Sequence, residues 1–220
     1  MTPKMVIFDC DGVLVETESI TDRVLSEYFS GLGPAISPEE VHELFAGGTM
    51  EGAGEEAARR GAILPADWLN QIYARTFAAL REGVEVFEGL FGVLDQLDAL
   101  GIATAIASNG PMGKMEITLT PSGLWERFDG RIYSGREHGS PKPAPDLLLM
   151  AARAANVNPA DCVMIDDTKA GTRAAKAAGM AAIGFAAASN AEKLREEGVP
   201  VAMHMAEVAE LLGLGEFQRL

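Results

Sequence analysis

Four short runs of this chain are apolar at nearly every position: Met5–Phe8, Ile102–Ala107, Cys162–Ile165 and Ala181–Phe185. A strand with one wet face alternates apolar and polar residues, whereas a strand covered on both faces reads as a continuous apolar run. Arg131–Ser134 is a weaker candidate of the same kind. Between these runs the period changes. Gly89–Leu100 places Leu90, Val93, Leu94, Leu97 and Leu100 at helical spacing, and Gly101 follows where a helix needs a left-handed residue to stop. Pro145–Asn156 opens on a proline suited to a first turn, and Lys169–Ala178 closes at Gly179. Short buried strands alternating with helices predict an α/β fold, a Rossmann-like and mostly parallel sheet with helices on both faces.

The segment 16–85 has a different texture. Ser19–Phe29, Pro38–Phe45, Glu55–Arg60 and Ala66–Leu80 read as helices, with no convincing strand among them. We therefore expect a small helical domain, 16–85, inserted into an α/β core formed by 1–15 and 86–220.

Composition narrows the class. The 220 residues are 48% hydrophobic and 23% charged, ordinary for a globular protein. No stretch approaches the roughly 20 apolar residues that span a bilayer. The chain enters a strand-like run within a few residues of its start, which predicts a cytoplasmic protein. Cys10 and Cys162 lie in apolar runs without close-spaced partners, so buried thiols are expected rather than a zinc site or a disulfide framework. Eighteen basic against 32 acidic residues give a net charge of -14, which disfavours nucleic acid and anionic lipid as partners. A small phosphorylated metabolite stays admissible if a divalent cation and a well-placed lysine reverse the sign locally. The oligomeric state is left open, a monomer being compatible.

In an open α/β sheet, ligands bind beyond the carboxyl ends of the strands. Polar residues wait there: Asp9 and Asp11, Ser108 and Asn109, Asp166 and Asp167, and the turn Gly139-Ser-Pro-Lys-Pro-Ala-Pro-Asp146. Residues i and i+2 of an extended segment face the same way, so Asp9 and Asp11 should be neighbours, with Cys10 turned away. Paired carboxylates suit Mg2+, which takes one or two of them together with phosphate oxygens and water. A solvated acidic turn is the plainer explanation of any isolated Asp-x-Asp. Gly12 adds a backbone that can approach phosphate. Asp166-Asp167-Thr168 adds anions for a cation, although Asp167 or Thr168 could also cap the following helix. Ser108 and Asn109 fit a plain turn or a phosphate cradle. Lys142, held between Pro141 and Pro143, is the best counter-charge for a phosphate among four aspartates.

Taken in order, Asp9-x-Asp11-Gly-Val-Leu-Val, Ser108-Asn109, Lys142-Pro-x-Pro-Asp146 and Asp166-Asp167-Thr168-x-x-Gly171 resemble the motifs of the haloacid dehalogenase (HAD) superfamily. The likeness is to the branch with a helical cap inserted after the first motif, which includes phosphoglycolate phosphatase and β-phosphoglucomutase. That resemblance implies an aspartyl-phosphate formed on Asp9, with Asp11 as general acid and base. It implies that Gly12, Ser108, Asn109 and Lys142 hold the phosphoryl group, and that Asp9, Asp11 (through its carbonyl), Asp166 and Asp167 hold Mg2+. Asp11 favours phosphoryl transfer over dehalogenation, which needs no acid or base there. Ala107-Ser-Asn-Gly-Pro-Met-Gly-Lys-Met115 is similar to bacterial sugar-phosphate phosphatases and points to a sugar or sugar-acid phosphate. Glu16-Thr17-Glu18 departs from the Asp-Ser or Asp-Thr common in relatives, which puts the cap hinge in question.

The cap is expected to close over the site and choose the leaving group. Gly47, Gly48 and Thr49 either meet substrate there or only separate two helices. Arg75 and Lys114 are candidate contacts for a substrate anion. A phosphomutase using the same Asp9 chemistry, or a non-catalytic binding protein on this fold, are the alternatives. His138-Gly-Ser140 carries no reading from sequence.

Overall fold

The computed structural model describes residues 2–33, 35–45, 49–187 and 191–215. The chain divides into two compact units, Met1–Glu16 with Glu85–Leu220, and Thr17–Val84.

The first unit is built on a six-stranded sheet whose strands are β1 (Met5–Phe8), β4 (Ala103–Ser108), β5 (Ile132–Ser134), β6 (Cys162–Asp166), β7 (Ala181–Phe185) and β8 (Val201–Ala202), in the spatial order β5-β4-β1-β6-β7-β8. Every pairing is parallel. The helices of this unit are α5 (Leu90–Ala99), α6 (Met112–Leu119), α7 (Leu124–Arg127), α8 (Gly135–His138), α9 (Asp146–Ala154), α10 (Lys169–Ala177), α11 (Ala191–Arg195) and α12 (Met205–Leu211). Alternation sorts the side chains. Met5, Ile7, Ala105, Ala107, Cys162, Met164 and Ala182 form one buried layer with Leu147, Leu148, Ala151 and Ala152 of α9 and Ala174 and Ala175 of α10. Their neighbours along the strands take the other face, where Phe8 meets Phe128 edge-on at 6.4 Å and Phe185 meets Phe87 at 5.2 Å. The helices between strands are what allow a parallel sheet to be dry on both sides.

The strand order reverses direction at β1: the chain moves to β4 and β5 on one side, then to β6, β7 and β8 on the other. Such a switch point opens a crevice at the carboxyl ends of the central strands. Register completes the placement. Phe8 pairs with Ile106 and with Ile165, so one step further Asp9 stands level with Ala107 and Asp166.

The four strong apolar runs are strands in the structure, and Arg131–Ser134 contains β5. Several elements lie outside that reading, the helices α7, α8, α11 and α12 among them. The edge strand β8 has two residues, too few for a periodicity. A two-stranded antiparallel pair, β2 (Val15–Glu16) with β3 (Glu85–Val86), closes the first unit where no strand was expected. The helix α6 begins directly after the Ser108-Asn-Gly-Pro111 turn, in a segment where no helix was expected.

The second unit contains α1 (Glu18–Ser30), α2 (Pro38–Phe45), α3 (Met50–Arg59) and α4 (Trp68–Glu82) around its own core of Val24, Leu25, Tyr28, Phe29, Ile36, Val41, Ala53, Ala57 and Ile72. Helix α3 starts five residues before the expected Glu55. Thr49 explains the early start: its hydroxyl accepts from Gly52 N at 3.1 Å, an N-cap that satisfies one of the helix's orphan donors.

Candidate active site

Asp9 leaves the end of β1 with its backbone N–H donating to Ile165 O at 2.9 Å, which ties it to β6. The turn that follows is closed by Gly12 N to Val15 O at 2.9 Å and Leu14 N to Cys10 O at 2.9 Å. Its side chain is buried, and Oδ1 accepts from Cys10 N at 2.8 Å and from Lys142 Nζ at 3.0 Å. Lys142 Nζ also donates to Asp166 Oδ2 at 2.7 Å, and Asp166 is fully buried. The other oxygen of Asp166 accepts from Thr168 N at 2.9 Å and from Thr168 Oγ1 at 2.6 Å, while Thr168 Oγ1 caps α10 by accepting from Gly171 N at 3.2 Å. Thr168 thus joins the helix start to the acidic cluster.

Two glycines make this crowding possible. A Cβ on Gly171 would fall 1.8 Å from Cγ and Oδ2 of Asp166. A Cβ on Gly12, whose φ is +75°, would fall 2.4 Å from Asp167 Oδ2. The missing side chain of Gly12 therefore makes room for a carboxylate.

Electrostatics sets the character of the site. Carboxylate oxygens of Asp9, Asp166 and Asp167 lie within 4.8 Å of one another. At an effective dielectric of about 20, two like charges about 4 Å apart repel by about 4 kcal/mol. Lys142 bonds two of these carboxylates, Asp9 and Asp166. Burial first, and Asp166 and Asp11 after it, push the Asp9 carboxyl up to about 6 against the pull of Lys142. Burial also works against the charge of Lys142, but Asp166 and Asp9 outweigh it and raise its pKa further. A buried cluster with surplus negative charge and oxygen-only donors fits a hard divalent cation.

The remaining residues fall around this centre. Ser108, buried at the end of β4, accepts from Gly110 N at 3.2 Å through its hydroxyl. Asn109 is engaged on protein: Oδ1 accepts from Lys142 N at 2.7 Å and Nδ2 donates to Lys142 O at 3.0 Å. Both amide atoms grip the main chain of the lysine, a contact between two loops that neither the turn nor the phosphate-cradle reading of Asn109 contains. Asp11 takes a hydrogen bond from Lys114 Nζ on α6 at 2.7 Å. Glu137, absent from the sequence reading, accepts from Met112 N at 3.1 Å and contacts the Ser134 hydroxyl, which donates to Gly110 O at 2.7 Å. The pattern Ser134-x-x-Glu137, a capping-box spacing, was the available signal for it. In the segment without a reading, His138 Nδ1 lies 2.8 Å from Ser134 O and Ser140 Oγ donates to Asp146 Oδ2 at 2.8 Å.

In the helical unit Thr49 serves as the α3 cap described above, and Gly47 and Gly48 lie outside the described residues. Arg75 stacks over the ring of Tyr28, 5.0 Å from its centroid. Among the described residues no helix is long and apolar enough to cross a membrane.

Comparison with known proteins agrees with this geometry. The family model for haloacid dehalogenase-like hydrolases matches residues 3–179. The chain is 30% identical over 208 residues to the 6-phosphogluconate phosphatase of Escherichia coli K12, covering 94% of this chain and 93% of that one. It is 31% identical over 192 residues to the CbbY protein of Cereibacter sphaeroides, covering 81% and 82%. Among solved structures, a HAD family hydrolase of Deinococcus radiodurans R1 with bound phosphate and sodium superposes with a TM-score of 0.85 at 31% identity, over 100% of this chain and 99% of that one. A haloacid dehalogenase-like protein of Agrobacterium tumefaciens gives 0.86 at 32%, over 96% and 97%. A switch-point site of this composition, together with a family match over most of its length, establishes that the chain belongs to the haloacid dehalogenase-like hydrolase family.

Proposed function

We propose that the protein is a cytoplasmic, Mg2+-dependent phosphatase that hydrolyses a small phosphate monoester, a sugar or sugar-acid phosphate, through an aspartyl-phosphate on Asp9. The observation that carries this reading is Asp9 itself: a buried carboxylate at the sheet switch point, bonded to Lys142 and grouped with Asp166 and Asp167. The similarity to a 6-phosphogluconate phosphatase supports the substrate class, and two free, buried cysteines accord with a reducing compartment.

Phosphoryl transfer asks a protein mainly to position groups and neutralise charge. Asp9, Asp167, Asp166 and the carbonyl of Asp11 would hold Mg2+. When bound, the ion supplies positive charge to the phosphoryl oxygens and relieves the repulsion among the carboxylates. Lys142 and Ser108 face the transferring group, Lys142 being held in place by Asn109. A carboxylate oxygen of Asp9 attacks phosphorus in line. The bond from phosphorus to the leaving oxygen breaks, its electron pair stays on that oxygen, and Asp11 supplies the proton. Asp11 then takes a proton from water, the resulting nucleophile attacks the aspartyl-phosphate, and phosphate leaves as Asp9 is restored.

The test is release of inorganic phosphate from a panel of phosphorylated metabolites that includes 6-phosphogluconate, with Mg2+ and with EDTA. We expect activity with Mg2+ alone and its abolition in Asp9→Asn. Unchanged turnover by that variant sinks the mechanism, and transfer of phosphate between positions of a sugar, in place of its release, sinks the hydrolase assignment.

A further inference from the structure

Lys114 breaks a local rule. It is the third residue of α6, where the positive end of the helix dipole disfavours a cation. Its ammonium is nonetheless drawn back to Asp11, donating to Oδ2 at 2.7 Å, with the two side chains only 19% and 27% exposed. The partners are 103 residues apart in sequence. Local violations of this kind concentrate at functional positions.

The surroundings make the contact a held one. The first turn of α6 is anchored by Met112 N on Glu137 Oε1, and the preceding Gly110 carbonyl by the Ser134 hydroxyl. Gly110 itself lies between Ser108 and Asp11: a Cβ there would stand 3.5 Å from Ser108 Oγ and 3.7 Å from Asp11 Oδ2.

We propose that Lys114 is a positioning residue for Asp11, fixing its carboxyl group by Oδ2 so that Oδ1 exchanges the proton with the leaving oxygen. The inference rests on the phosphatase reading above. When the bond from phosphorus to oxygen breaks, the electron pair goes to the leaving alcohol oxygen, and the proton on Oδ1 follows it. Lys114 neither gains nor loses a proton in that step. Its part is to keep Asp11 from turning away, since proton transfer requires the donor within hydrogen-bond reach.

The experiment compares kcat/KM, which reports events up to departure of the leaving group, on esters that differ in their need for a proton. Sorbitol 6-phosphate and 6-phosphogluconate expel alkoxides and need one; 4-nitrophenyl phosphate expels a stable phenolate and does not. We expect Lys114→Met and Lys114→Gln to lose about tenfold or more on the alkyl esters while staying within about twofold on the nitrophenyl ester. Lys114→Arg, which keeps a donor, should recover most of the loss. In an Asp11→Asn background, Lys114→Met should have no further effect, since a residue acting through Asp11 has nothing left to position. Thermal melts of each variant confirm that the fold persists, and the arginine variant tests the idea if the neutral ones do not fold. Equal losses on all three esters, or additive losses in the double variant, overturn the proposal. A rise in KM confined to 6-phosphogluconate also overturns it, showing instead that Lys114 binds the substrate's carboxylate. A wild-type protein inactive on every ester overturns the phosphatase reading itself, which separates that failure from this one.

Discussion

At the scale of single residues, the site is defined as much by atoms that are missing as by those present. Asp166 can be fully buried beside α10 only because Gly171 has no side chain, and the clearance a Cβ would need is absent by a wide margin. Gly171→Ala must displace Asp166, and with it the Thr168 and Lys142 contacts. Overpacking of this kind destabilises by about 1–3 kcal/mol, which for a chain of this length corresponds to about 2–12 °C in Tm. We expect a melt to show that loss together with a collapse of phosphatase activity. Retention of both at wild-type level would contradict the close approach. Gly171 was visible in the sequence as part of a motif, but its physical reason was not, because a Cβ clash depends on a strand and a helix meeting.

At the scale of elements, the turns after β4 and before α9 work as one piece. Asn109 spans them with two hydrogen bonds to the main chain of Lys142, 33 residues away. Asn109→Ala removes both, each worth about 1 kcal/mol. The ammonium would then lose its fixed origin, and misplacement of a reacting group by about 1 Å can lower turnover up to about a hundredfold. The expected pattern is a large fall in kcat with weakened inhibition by inorganic phosphate no greater than that fall. A variant that loses phosphate affinity alone, with kcat intact, would return Asn109 to the role of a direct phosphate ligand. The Ser-Asn pair was legible as a turn, and its partner was not, since spacing along the chain carries no information on which loop a side-chain amide will face. Thr49 is the opposite case: its cap on α3 is a local interaction, hidden only because Met50–Gly54 shows too weak a periodicity to mark the helix start.

At the scale of the molecule, the excess of acidic over basic residues and the acidic cluster have a common consequence for stability. Carboxylates forced together in the folded state and separated in the unfolded one oppose folding until a cation joins them. A ligand that binds the native state alone stabilises it by about 2.7 kcal/mol at a hundredfold excess over its Kd, about 5–10 °C in Tm here. Thermal melts in millimolar Mg2+ against EDTA should show that rise, and Asp167→Asn should abolish most of it. An equal shift in the variant would mean that Mg2+ acts on the diffuse surface charge and not at this site.

The central strands β1, β4, β6 and β7 and the helices α5, α9 and α10 were legible in the sequence, because burial on both faces leaves an apolar run and helical packing leaves a 3.6-residue period, both local properties of the chain. The four motifs and the Asp9–Asp11 pair were readable for the same reason: each is a few adjacent residues at the end of one run. The tertiary structure decided what those residues touch. Parallel register brought Asp9 level with Asp166, the switch point at β1 put the ends of β4 and β6 on either side of Asp9, and helix α6, unforeseen as a helix, carried Lys114 to Asp11. Such contacts join segments from tens to a hundred residues apart, and only a closed sheet register determines which of them meet.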